Sequence, residues 1–229
     1  MNKRAVVLAS GGLDSCVAMA IASEEYNLAL LHVSYGQRTE QRELKAFHAL
    51  ADHFRVDDRL VISMQHLKTF GGSSLTNPSI PLPKADLRRE GIPSSYVPFR
   101  NANMLSVAVS WAEVLKAQAI IVGAVEEDSS GYPDCRREFF DAFELAIETG
   151  TENTTHIAIV TPIIKFSKAQ IVQEGLGLNA PFALTWSCYQ NEDVACGECD
   201  SCALRLRGFQ IAGVEDPIPY TTRPNYAHV

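Results

Sequence analysis

Two clusters of residues in this chain have the types and spacing to do chemistry. The first is Cys188 followed by C-G-E-C-D-S-C, which puts Cys188, Cys196, Cys199 and Cys202 within reach of one metal ion. Four thiolates suit tetrahedral Zn2+ in a closed, structural site, and Gly197 permits a tight knuckle between two of them. A C-x2-C-x2-C run also serves iron–sulfur clusters, usually with a Cys-Pro just downstream. Here the fourth cysteine lies upstream and Ala203 follows Cys202, which favours zinc. Such clustering in a cytosolic chain points to metal rather than disulfides. Cys16 and Cys135 lie elsewhere, and Cys16 reads as a small core residue.

The second cluster is S-G-G-L-D-S, Ser10 to Ser15, which follows the apolar run ending in Leu8 and Ala9. A helical pattern begins at its far end. Free N–H groups at a helix start, together with the helix dipole, attract anions. Gly11 and Gly12 let the backbone approach closely, and Ser10 and Ser15 add hydroxyl donors. Asp14 is an odd neighbour for phosphate unless it also meets Mg2+, which commonly joins carboxylates to phosphate oxygens. The spacing is neither the Walker loop nor G-x-G-x-x-G. On spacing alone, a plain capped βα turn, with Asp14 as a favourable acid in the first helical turn, explains it equally well.

The elements that must position these clusters alternate. Arg4–Ala9, Leu28–Ser34, Leu60–Ser63, Ala119–Gly123 and Ile157–Thr161 are apolar without alternation, as parallel strands covered on both faces should be. Helical patterns fall at Asp14–Ser23, Glu40–Phe54, Met104–Lys116, Arg137–Glu148 and Ser167–Gln173, the last opening with the capping box S-K-A-Q. The expected fold is α/β: a doubly wound, mostly parallel sheet with a small C-terminal zinc-bound segment. Residues 1–185 form the nucleotide-binding catalytic domain on this reading, and 186–229 the zinc-binding segment. Ligands in such sheets bind outside the carboxyl ends of the strands, where Ser10–Ser15 falls. Residues 71–98, rich in Gly, Ser and Pro, break the alternation and read as a loop that is either functional or disordered.

Composition narrows the function classes. The chain has 229 residues, 46% hydrophobic, enough for one sizeable core or a core plus a small appendage. No apolar run approaches a membrane span and no leader pattern opens the chain, so a soluble cytoplasmic protein with no membrane partner is expected. A net charge of -7 without a basic run argues against direct nucleic-acid binding.

S-G-G-L-D-S resembles the pyrophosphatase-type loop (PP-loop) of ATP-dependent adenylating enzymes, which implies cleavage of ATP between its α and β phosphates. Three further stretches are YGQR (Tyr35–Arg38), VPFRN (Val97–Asn101) and EEDSSGYPDCR (Glu126–Arg136). With TPIIKFSKAQ and the cysteines, they resemble the 7-cyano-7-deazaguanine synthases of queuosine biosynthesis, from about the first strand to Gly208. SGYPDCR and CGECDSC are the specific parts; SGGLDS marks only the superfamily. Three positions depart from the family's usual pattern: Leu13 for a frequent Gln, Thr39 for a frequent His, and Lys165 for a commonly aromatic residue. Thr39 puts any proton transfer carried by that position in question.

The resemblance implies an ATP-dependent C–N ligase that turns 7-carboxy-7-deazaguanine, ammonia and two ATP into the nitrile, and a homodimer. Leu8–Ser15 would bind ATP, with Asp14 meeting Mg2+. Arg38, Arg100 and Lys168 would neutralise developing charge. Each of these cations, taken alone, also reads as a solvated surface ion. Glu126 and Asp128 are candidates to accept the adjacent ring donors, with Glu126 also placed to accept a proton from the amine. Tyr96, Phe99 and Tyr132 are available to stack on the ring. Cys135, without a matched histidine, reads as structural or ring-packing. The rival readings are a PP-loop enzyme that thiolates tRNA, a paralogue acting on another carboxylated substrate, and a non-catalytic nucleotide sensor with a zinc-stapled tail.

Overall fold

The computed structural model describes residues 3–126 and 131–228. Five parallel strands, β1 (Lys3–Leu8), β2 (Tyr26–Ser34), β3 (Arg59–Ser63), β4 (Ala119–Val122) and β5 (Ala158–Val160), form one sheet in the order β3-β2-β1-β4-β5. The helices are α1 (Leu13–Ser23), α2 (Glu40–His53), α3 (Gln65–Phe70), α4 (Arg100–Leu115), α5 (Arg137–Gly150), α6 (Lys168–Gly177) and α7 (Asp200–Ile211). The doubly wound parallel sheet expected from the alternation is present.

Side-chain alternation along the strands divides the core. Val6, Leu31 and Ile120 pack one face, against Leu105 of α4 and Phe140 and Ile147 of α5. Val7, Leu30 and Ile121 pack the other, against Met19 of α1 and Phe47 and Leu50 of α2. Burial on both faces is why these strands read as unbroken apolar runs. The strand order reverses between β1 and β4, which opens a crevice at their carboxyl ends. The glycine loop leaves β1 there, and Gly123–Val125 leaves β4.

Gly11 needs its lack of a side chain. Its φ is +84°, and a Cβ would lie 2.7 Å from the carbonyl oxygen of Glu43 on α2. The loop is therefore pressed onto α2. The Trp186 N–H, donating to Gly11 O at 2.8 Å, ties it to the C-terminal segment as well.

The structure adds two helices to the expected set, α3 and α7, and starts α4 at Arg100 rather than at Met104. α7 carries Asp200, Arg205 and Arg207, which break the apolar period. Arg205 is only 1% exposed and points inward, bonding Asp216 at 2.6 and 2.8 Å and Thr185 Oγ1 at 2.6 Å. A buried, fully paired arginine looks like a surface residue in sequence. Ser167 caps α6 through the expected capping box, and the helix runs on to Gly177.

The Gly/Ser/Pro-rich segment is an ordered strap. The Ser74 N–H donates to Ser94 O at 2.7 Å, closing the strap on itself. Ala85 N–H donates to Glu198 O at 2.8 Å, and Arg89 pairs with Asp200 at 2.7 Å. Its middle is thus fastened beside the cysteines. No helix among the described residues is long and apolar enough to cross a membrane.

Candidate active site

The crevice between β1 and β4 holds a cavity of about 250 Å3, with a second of about 180 Å3 continuing from it. Ser10, Ser15, Tyr35, Glu43, Arg100 and Cys135 are among the residues that line both. The glycine loop forms one wall. Gly12 precedes the first turn of α1 in an extended conformation, so the unpaired N–H groups at the helix start face the crevice. Ser10 Oγ accepts from the Gly12 N–H at 3.2 Å and lies 3.1 Å from Ser15 Oγ. Leu8 and Ala9 line the smaller space, and Gly12, Leu13 and Asp14 the larger. Gly11 lies behind the loop, against α2.

Asp14 and Lys168 meet across α1 and α6, with Lys168 Nζ 2.6 Å from Asp14 Oδ2. The other carboxylate oxygen, Oδ1, is buried and has no hydrogen-bond partner among the described residues. An acidic oxygen left open beside a helix start fits a divalent cation that would also meet phosphate. Both residues line the larger cavity.

Arg100 is the cation on the opposite wall. Its Nη1 donates to Tyr35 Oη at 2.9 Å, and its guanidinium stands 5.3 Å from the Tyr35 ring centroid and 6.0 Å from that of Tyr132. It forms no direct ion pair among the described residues, so its charge is available to an anion. Burial pushes the Tyr35 phenol up to about 12, which keeps it neutral. VPFRN meets PDCR here. Asn101 N–H donates to Asp134 Oδ2 and its Nδ2 to Asp134 O, both at 2.9 Å, and Nδ2 also reaches Cys135 Sγ at 3.2 Å. Burial pushes the Cys135 thiol up to about 11, against its acting as a thiolate nucleophile.

Not every expected site residue arrives at the cavity. Arg38 points into the strap, where Nε donates to Ser74 O at 2.7 Å and Nη2 to Ile80 O at 2.7 Å and Asn77 O at 3.2 Å. Its geometry serves positioning of the strap. Arg38→Met is therefore expected to speed amide exchange across residues 73–80 while ATP binding persists. An activity loss with unchanged exchange would instead return Arg38 to the chemistry.

Glu126 sits at the start of α5, where its Oε1 accepts from the Arg137 N–H at 3.4 Å, outside the cavity lining. Phe99 is 59% exposed and packs on Phe139. Tyr96 supports Tyr132 at 5.5 Å between ring centroids and accepts from the Phe99 N–H at 3.0 Å. Of the three expected aromatics, Tyr132 alone lines the larger cavity, its hydroxyl donating to Ser95 Oγ of the strap at 2.9 Å. Asp128 lies outside the described residues.

Other lining residues had not been singled out: Glu43 on α2, and Trp186, Tyr189, Asp200 and Arg205 from the C-terminal segment. Glu43 left a signal. It falls on the face of α2 that carries the buried Ala46, Phe47 and Leu50, and an acid on a buried face needs a reason. Burial raises its carboxyl to about 7, against hydrogen bonds from Gln37 and Thr39 and the charge of Arg100.

The four cysteines form a separate, buried centre. Their Sγ atoms all lie within 4.8 Å of one another. Tetrahedral ligands about 2.3 Å from zinc are about 3.8 Å apart, and Cys196 Sγ and Cys202 Sγ are 3.8 Å apart. Cys188 Sγ accepts from the N–H groups of Asn191, Gln190 and Cys196, and Cys196 Sγ from those of Cys199 and Glu198. Hydrogen bonds from Cys196, Cys199 and Cys202 hold the Cys188 thiol well below its usual range. These residues can hold a metal ion.

Comparison with known proteins decides the family. The family model described as "Queuosine biosynthesis protein QueC" matches residues 4–213. The chain belongs to the QueC family. A relative from Chlorobium chlorochromatii (strain CaD3), named 7-cyano-7-deazaguanine synthase, is 58% identical over 224 residues, covering 97% of this chain and 98% of the relative. One of the same name from Chlorobaculum tepidum is 57% identical over 97% of this chain and 99% of the relative. A solved structure of a predicted subunit of tRNA methyltransferase from Methanocaldococcus jannaschii aligns with a TM-score of 0.50 at 16% identity. It covers 75% of this chain and 73% of that one, and shares the fold. The QueC match takes in the glycine loop, every wall of the cavity and the four cysteines.

Proposed function

We propose that this protein makes 7-cyano-7-deazaguanine from 7-carboxy-7-deazaguanine, ammonia and two ATP, for queuosine biosynthesis. The observation that carries this reading is one continuous crevice, in a QueC-family chain, that joins an anion-binding helix start to a cation and aromatic rings. A carboxylate is a poor electrophile because its leaving group would be oxide. Transfer of AMP from ATP to a carboxylate oxygen supplies a leaving group, and attack by ammonia then gives the amide. A second transfer of AMP to the amide oxygen lets that oxygen depart as well, leaving the nitrile.

The residues divide along the crevice. Ser10, Gly12, Ser15 and the helix start hold the departing pyrophosphate, whose charge the helix dipole and Lys168 favour. Asp14, with its open Oδ1, would hold Mg2+ on the phosphates; that ion supplies neutralisation of phosphate charge. Arg100 receives the substrate carboxylate or the adenylate oxygen, and Tyr132 packs on the ring. Zn2+ at Cys188, Cys196, Cys199 and Cys202 is structural. Residues 1–185 then form the catalytic body and 186–229 the metal-stapled segment. We place the protein in the cytoplasm as a homodimer, which sedimentation tests directly.

The reaction course gives the test. With acid, ammonium and MgATP, purified protein is expected to release two AMP and two pyrophosphate per nitrile. Supplied with 7-carboxamido-7-deazaguanine, it is expected to make nitrile from one ATP without ammonia. Mass spectrometry and phosphate assays read both. ADP as product would defeat the adenylation reading, and amide that accumulates unconverted would limit the protein to amide synthesis.

A further inference from the structure

Conversion of an acid to a nitrile leaves a proton problem at nitrogen. Ammonia enters with three N–H bonds and the product has none. The attacking nitrogen becomes cationic as the N–C bond forms, and it must lose a proton before AMP is a better leaving group than ammonia. The amide adenylate must then lose its remaining N–H protons as the C–O bond to AMP breaks and the third C–N bond forms. A base in one place serves every transfer, because the nitrogen occupies one place throughout.

The geometry points to Glu43 as that base. This inference rests on the function proposed above. Glu43 is the one carboxylate, among the described residues, that lines both the larger and the smaller cavity, so it stands where they join. The groups shared there are the loop serines, Tyr35, Arg100 and Cys135. The loop and the cation mark where the adenylate sits, and Glu43 lies beside both. Asp14 is bound to Lys168, and Asp200 to Arg89. Glu43 has no direct ion pair among the described residues.

Its carboxylate is held in place by neutral donors. Gln37 Nε2 donates to Oε2 at 3.0 Å and Thr39 Oγ1 to Oε1 at 2.9 Å. A carboxylate accepts about four hydrogen bonds, so each oxygen keeps capacity for an N–H. The charged or titratable groups that act on it are Glu40 on its own helix, which raises its affinity for protons, and Arg100 from α4, which lowers it. Tyr35, from the end of β2, is neutral. The loop that packs on α2 presents Gly11, which has no side chain. Burial among these groups brings the carboxyl to about 7, a value near neutrality that suits a general base.

The electron flow balances without an oxidant. The nitrogen lone pair forms the N–C bond and the carbonyl π pair moves to oxygen. An N–H proton passes to the Glu43 carboxylate, its pair staying on nitrogen, and the oxygen pair then returns to re-form the C=O as the C–O bond to AMP breaks with its pair on AMP. The carboxyl sheds the proton to water. In the second cycle N–H protons pass to Glu43 again, and the freed pair completes the triple bond as AMP leaves. Thr39 keeps its place here by orienting the base.

Glu43→Gln in the full chain separates the steps. Pyrophosphate release from acid and MgATP without ammonia is expected to stay within about threefold of the parent. Conversion of acid to amide, and of amide to nitrile, are both expected to fall by about 10^2–10^4. The dissociation constant for ATP should not move, since Glu43 acts after adenylation. In the parent, the amide-to-nitrile step, which uses no ammonia, should gain rate as pH rises through about 7, because the base form is required. That limb should vanish in Glu43→Gln and reappear at a shifted pH in Glu43→Asp. If Glu43→Gln makes nitrile at the parent rate, or loses adenylation in proportion to nitrile, Glu43 is not the base. Parent protein that releases no AMP from acid and ATP defeats the function reading, a result independent of any Glu43 variant.

Discussion

Gly12→Val is expected to abolish release of AMP and pyrophosphate while leaving the fold intact. Gly12 has φ -85° and ψ 172°, an extended conformation open to any residue. A Cβ there would lie 3.3 Å from Ser10 Oγ and 3.6 Å from Trp186 O, tight but tolerable. The branched methyls would enter the space where phosphate oxygens meet the helix start, and Ser10 Oγ could no longer approach. Removal of a single preorganised donor costs about 10^2–10^3 in rate, and a valine here obstructs several. Circular dichroism and metal content should match the parent. Gly11→Val is the contrasting variant. Its Cβ would strike the Glu43 carbonyl at 2.7 Å with φ at +84°, so that variant should lose stability as well as turnover. Normal turnover in Gly12→Val would mean that the loop is a plain turn and that phosphate binds elsewhere.

Cys199→Ser is expected to lose bound metal, stability and activity together. Parent protein should carry about one zinc per chain. Metal binding to such a centre is coupled to folding, worth about 10–16 kcal/mol in small zinc peptides. Here the sheet has its own core, so the loss should fall on residues 186–229 and the strap. Cys199 is 3% exposed, precedes α7, and its N–H donates to Cys196 Sγ at 3.3 Å. Loss of that ligand frees the start of α7, and with it Asp200, which lines the cavity and holds Arg89 of the strap. Hydrogen exchange should show α7 opening while β1, β2 and β4 stay protected. Full metal occupancy in the variant, or an iron–sulfur absorption band in the parent, would count against zinc here.

Much of this was legible in the residues, for physical reasons. The strands were readable because parallel strands buried on both faces leave unbroken apolar runs. The glycine loop was readable because a turn pressed onto a neighbouring helix at positive φ restricts composition, and the cysteines because thiolates so spaced have few other uses. What escaped the reading depends on distant pairing. Arg38 looks like a catalytic cation until its hydrogen bonds to Ser74 O, Asn77 O and Ile80 O are seen. Arg205 and Asp200 break the apolar period of α7, and the groups that satisfy them are not visible in it: Arg89 lies 111 residues from Asp200, and Asp216 lies past the end of the helix. Glu43 was legible only as an acid on the buried face of α2, and the sequence does not show which groups meet it there.

The tie between Trp186 and Gly11 has a consequence for how the protein is born. The sheet is assembled from residues that leave the ribosome before residue 161, and helices α1, α2, α4 and α5 can cover it as they emerge. The glycine loop is then already in place, yet one wall of the crevice is missing. Trp186 N–H reaches Gly11 O only after the C-terminal segment is synthesised, and Tyr189, Asp200 and Arg205 close the crevice later still. The nascent chain therefore carries a half-open crevice until the C-terminal segment has emerged. The four cysteines, which can hold a metal ion, stand at the start of α7, so docking of that helix is what completes the chamber.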